Sequence, residues 1–152
     1  MNLNGEAIIA IVGNVLLIAT FILGYSQATR TWKRTTTLEL LSRVYSDGPV
    51  SRAQQTFAIW IANKQTIAND EVSEAEETII IPMLEFYNFL SISALNGSCE
   101  LQTIERHRGG AMRATFDLCK EYIKARRRRL NRPKLYSDYE KFVEVYLRSK
   151  EL

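Results

Sequence analysis

Residues 7–25 read AIIAIVGNVLLIATFILGY, a stretch with no charged side chain in which only Asn14, Thr20 and the closing Tyr25 are polar. As an α-helix these residues span roughly 28 Å, close to the hydrocarbon thickness of a bilayer. The uncharged run extends to Thr29, with Tyr25 at the height of an interfacial aromatic and Trp32 slightly beyond it. Arg30, Lys33 and Arg34 follow at once, whereas Glu6 is the only charged side chain before the span. Cations gather on the cytoplasmic side of a membrane helix. The sequence therefore predicts a single-pass protein of the cell inner membrane, its N-terminus outside and its remainder in the cytoplasm.

A cleaved signal peptide would find a small-x-small site at Ser26-Gln27-Ala28. It should also carry a basic leader and a shorter apolar run, and neither is present. Within the span, Ala10, Gly13, Leu17, Thr20 and Gly24 recur at spacings of three and four and form one stripe, bordered by Asn14. Small residues in such a stripe let a second helix approach closely. A homo-oligomer held in the lipid bilayer is the expectation.

Outward from the span, the chain of 152 residues divides into a tail and membrane helix (1–29) and one cytoplasmic domain (30–152). Net charge is +3, too mild for a dedicated nucleic-acid binder. Cys99 and Cys119 make no disulfide framework and no CxxC pair; with His107, the sole histidine, they fall one ligand short of a zinc site. No metal or cofactor is expected.

The domain reads as all-α, a bundle of five or six helices. Leu38, Leu41 and Tyr45 share one face of a helix over 35–45, which Asp47-Gly48-Pro49 ends. Ser51-x-x-Gln54 reads as a capping box opening a helix with Phe57, Trp60 and Ile61 inward, and Ser73-x-x-Glu76 as a second. The helix from Ser73 stops at Asn96-Gly97. Another runs from about Ser98 to Leu130, interrupted at Gly109-Gly110, with Met112, Phe116, Cys119 and Ile123 as its ridge. Ser137-x-x-Glu140 opens the last, whose inward stripe is Tyr139, Phe142, Val143, Tyr146 and Leu147.

The segment TIIIPMLEFYNFLSISAL (78–95) is apolar nearly all round. Glu85 at its middle would cost about 2.5–3.5 kcal/mol in a bilayer. No cations flank it, and Asn88 and Pro82 add to the case, so it reads as the bundle's central helix, kinked at Pro82, with Glu85 and Asn88 as buried polar groups. A buried carboxylate can act as acid or base, but no second carboxylate or histidine stands beside it at helical spacing. No nucleophile, phosphate-loop or metalloprotease motif occurs. Catalytic residues are not expected, and His107, within Glu105-Arg106-His107-Arg108, reads as a surface group.

The strongest polar feature is the run Lys124, Arg126, Arg127, Arg128, Arg129, Arg132 and Lys134. It fits a solvated helix end, favoured by the C-terminal dipole, or contact with anionic lipid. A cytoplasmic protein partner ranks next, and nucleic acid last.

Met83-Leu84-Glu85-Phe86-Tyr87-Asn88-Phe89-Leu90 with Asn96-Gly97, Tyr122-Ile123-x-x-Arg126, and Tyr136-x-x-Tyr139-Glu140-x-Phe142 together resemble a bacterial family catalogued as domain of unknown function 4760. The resemblance covers about 30–148. It implies a membrane helix with a helical cytoplasmic domain and no known activity. The leading functional reading is a membrane-tethered, self-associating interaction module without catalysis. One rival is a membrane-disrupting effector or exclusion protein of a phage-defence or prophage system. Another is nucleic-acid or lipid binding through the basic run.

Overall fold

The computed structural model describes residues 5–42, 46, 48–65, 67 and 72–148, with residues 5–10 as backbone only. Tyr45, Asp47 and the side chain of Ala10 therefore lie outside the described residues, as do positions 149–152. Among the described residues there are five α-helices and no strand: α1 (Gly5–Ser42), α2 (Pro49–Ala62), α3 (Glu74–Leu95), α4 (Leu101–Arg129) and α5 (Ser137–Phe142). A π-helical turn, Val143–Leu147, prolongs α5.

The apolar span and the first predicted bundle helix are one continuous element. Nothing in Ser26–Arg34 breaks a helix, since the stretch holds neither glycine nor proline. The resulting rod of 38 residues is about 57 Å long. Only its last part joins the core: Thr37 and Leu41 are buried and Leu40 packs against them, while Leu38, expected inward, is exposed.

Helix α2 starts at Pro49, two residues before the expected Ser51 box, with Gly48 as an N-cap that makes no side-chain bond. Proline suits this place because the first helical N–H has no partner anyway. Ala53 and Phe57 are its buried positions, with Trp60 packed at the edge. The Ser73 box is present in full: Ser73 Oγ accepts from the Glu76 N–H, and Glu76 accepts from the Ser73 N–H at 2.8 Å.

Helix α3 runs unbroken through Pro82 and supplies Ile80, Met83, Leu84, Tyr87, Leu90 and Ala94 to the core. It ends at Leu95 with Asn96 as C-cap, and Gly97 just beyond has a φ of 74°, the left-handed value that favours glycine at a helix stop. Helix α4 returns antiparallel and is also unbroken, contrary to the expected interruption at Gly109-Gly110. Its expected ridge, Met112, Phe116, Cys119 and Ile123, is buried. Gly109 is buried against the last turn, where an added Cβ would stand 3.2 Å from Leu147 Cδ2. The glycine serves close packing and not a break.

The last helix lacks the expected Ser137 cap. Its N-cap is Tyr136, held at φ 58° with no side-chain cap bond. Asn88 of α3 fills the gap, its Oδ1 accepting from the Tyr139 N–H at 3.2 Å. The ring of Tyr139 packs against Tyr87 and Phe116 with centroids 5.6 and 5.4 Å away, and its hydroxyl donates to the Met112 carbonyl. The motif residues Tyr87, Asn88 and Tyr139 are thus the joint at which α3, α4 and α5 meet.

Candidate functional site

Two surfaces stand out among the described residues. One is the apolar half of α1. No side chain from Ile11 to Tyr25 is buried, and Leu17 and Phe21 are 70% and 74% exposed. Helix α1 is long and apolar enough to cross a membrane. Gly13, Leu17, Thr20 and Gly24 lie along it uncovered, and an added Cβ at either glycine would meet nothing within 4 Å. Thr20 donates to its own helix, to the Leu16 carbonyl at 2.8 Å. Asn14 is exposed beside them.

Thr37 fastens this helix to the bundle. Its buried hydroxyl donates to the Lys33 carbonyl at 2.7 Å and accepts from the backbone N–H of Glu100, the N-cap of α4, at 2.8 Å. The turn between α3 and α4 therefore docks on α1, and Lys33 Nζ reaches the neighbourhood of Gly97. Were α4 to run back along α1 from this point, its length of about 43 Å would cover the apolar span. The span is uncovered, so the α3–α4 hairpin departs from α1 and carries its far end away from the docking point.

That far end is the second surface, and the structure divides the basic run there into two sets. Arg126, Arg127 and Arg129 are structural. Glu77, in the first turn of α3, accepts from Tyr122 at 3.1 Å, pairs with Arg126 at 3.5 Å and accepts from Arg129. Arg129 is the largest cause that holds the Glu77 carboxyl below the usual carboxylate range. Burial pushes the Tyr122 hydroxyl up to about 12. Arg127 donates to the Leu135 carbonyl and to Glu140, each at 2.8 Å, and so locks the link between α4 and α5.

The second set is open. Arg128, Arg132 and Lys134 are exposed and their side chains make no ion pair or hydrogen bond among the described residues; Lys124 meets only its exposed neighbour Glu121, at 2.6 Å. Lys124, Arg127, Arg128, Asn131 and Pro133 surround a groove of about 440 Å³. In the sequence the seven cations look alike, because their acidic partners, Glu77 and Glu140, are brought in by the fold.

The remaining candidates separate. Glu85 is exposed, not buried as the sequence led us to expect, because it falls on the one stripe of α3, with Phe89 and Ile92, that the bundle leaves uncovered. Asn88 is half-buried and occupied with Tyr139. His107 is exposed. Both cysteines are buried free thiols, and burial pushes that of Cys119 far up, which disfavours the thiolate form a nucleophile needs. Thr37 was not singled out from the sequence: a threonine after a basic segment carries no signal until the α4 N-terminus is brought to it.

Fold and surfaces together define a class: a small helical bundle carried on one long helix whose other half is apolar and uncovered. The chain belongs to the family described as domain of unknown function (DUF4760), which it matches over residues 7–146. The match takes in the apolar helix, which the motifs over 30–148 do not reach. No curated protein and no solved structure matches the chain.

Proposed function

We propose that the protein is a membrane-anchored interaction module: α1 crosses the bilayer once and holds the bundle on the cytoplasmic face, where it binds other proteins and carries out no catalysis. The observation behind this reading is the apolar half of α1, in which no side chain from Ile11 to Tyr25 is buried. In water such a surface is strongly unfavourable, at about 25 cal/mol per Å². In a bilayer it is the natural lining of a helix whose backbone groups bond internally. Arg30, Lys33 and Arg34 at its end favour the cytoplasmic side for the bundle, in a cell inner membrane. The family match beginning at residue 7 supports the apolar helix as part of the common unit and not as a removable leader.

Self-association through Gly13, Leu17, Thr20 and Gly24 belongs to the same reading. The stripe is open, and Thr20 has already satisfied its hydroxyl within the helix, which leaves an apolar, closely approachable face. Native mass measurement of the intact chain in mild detergent is expected to give more than one copy, reduced to one by Gly13→Leu with Gly24→Leu. A single copy in the parent chain overturns the oligomer. Trypsin is expected to digest the bundle in inverted vesicles and to spare it in intact spheroplasts; the opposite pattern overturns the orientation.

A further inference from the structure

We infer that the basic pole at the end of α4 is a docking groove for an acidic, leucine-containing segment of a cytoplasmic protein. The inference rests on the interaction-module reading and names the surface that would carry it.

The first argument is what the fold does with its acids. Glu77 and Glu140 stand at this pole, and both are taken up by Arg126, Arg129 and Arg127. Arg128, Arg132 and Lys134 are left without an ion pair among the described residues, and Lys124 and Arg128 share the field of one exposed acid, Glu121. A helix dipole favours cations in the last turn, but α4 ends at Arg129, so Arg132 and Lys134 lie beyond its reach. Lys124, Arg127 and Arg128 line the groove, with Arg132 and Lys134 flanking its Pro133 in the chain, and this excess of like charge repels itself until an anion is present.

The second argument is the groove itself. Its lining is largely apolar, with Pro133 and the stems of Lys124, Arg127 and Arg128 beneath the charged heads. Leu130 stands 42% exposed at the same pole. An apolar floor inside a cationic rim complements carboxylates interleaved with leucine. No aromatic ring lines the groove, so a single-stranded nucleic acid would find phosphate partners and no stacking platform. The bilayer holding α1 is the poorer fit too. Its headgroups offer anions to the cations but no side chain for the apolar lining between them.

The structure also says which cations to change. Arg128, Arg132 and Lys134 are outside the Glu77 and Glu140 clamps, so their replacement leaves the joint intact. Full-length protein in phosphatidylcholine nanodiscs would be titrated against a short fluorescent peptide of alternating Glu and Leu, read by anisotropy. Saturable binding is expected, weakened about tenfold by Arg128→Glu/Arg132→Glu/Lys134→Glu, as three modest charge contacts would give. Arg106→Glu, an exposed cation on the first half of α4, should leave it unchanged. Thermal melting of the triple variant should match the parent.

Absence of saturable binding overturns the proposal, as does equal weakening by Arg106→Glu. So does tighter binding of a single-stranded RNA of equal charge, or of phosphatidylglycerol nanodiscs in competition with the peptide. If the parent chain is folded and stays with the membrane but gives no saturable binding, the docking groove alone is wrong and the anchored module stands.

Discussion

Glu77 joins the start of α3 to the end of α4 through one carboxylate oxygen that receives Tyr122, Arg126 and Arg129. Arg129 is 57% exposed and adds little by itself, whereas Arg126 at 15% is the better shielded partner. Because the folded state holds the Glu77 carboxyl below its ordinary range, its contribution is present above the unfolded pKa and fades as pH falls through the folded one. Glu77→Gln is expected to cost about 1 kcal/mol at neutral pH. In thermal melts, the gap between parent and variant should close as pH drops below 4; a gap constant from neutral to acid pH would contradict the clamp. Little of this was legible in the sequence, where Glu77 appears only as an acid in a helix's first turn. Its partners lie 45 to 52 residues away. The same holds for Asn88, a polar residue in an apolar helix until the uncapped N–H of Tyr139 is brought to it.

At the scale of elements, local chemistry was a good guide wherever a helix end closes within its own residues. The Ser73 box and the Asn96-Gly97 stop are such ends. It failed where the fold supplies the cap or removes the need for one: Gly48-Pro49 displaces Ser51, and Asn88 replaces Ser137. The two glycines of α4 illustrate a different failure, since a Gly-Gly pair reads as a break while packing against the π-helical turn makes one of them a contact point. Gly110 has no neighbour within 4 Å of an added Cβ. Gly110→Ala should therefore stabilise by about 0.5–1 kcal/mol through helix propensity alone. Gly109→Ala should gain less, or lose, because Leu147 must move to admit the methyl group. Chemical denaturation of both variants checks this, and equal gains would mean that Leu147 does not rest on Gly109.

For the whole molecule, the division into an apolar span and a helical bundle was legible from 7–25 and from the 3.6-residue periodicity after it. The fusion of the span with the first bundle helix was not, because a charged linker between two helical patterns looks the same whether or not the backbone continues. Continuity matters for function: α1 passes from its apolar half into the Thr37 joint without a hinge residue, so the bundle is held on a rod and not on a tether. The basic pole then lies at the opposite end of the α3–α4 hairpin from that joint, which would keep the proposed docking groove apart from the proposed anchor.

The central claim is that a bilayer, and not water, surrounds the first half of α1. Alkaline carbonate extraction of membranes from cells expressing the intact chain tests it most directly, beside a variant lacking residues 7–25. The account predicts that the intact chain stays in the pellet and the shortened one is released; an intact chain recovered in the supernatant would contradict it.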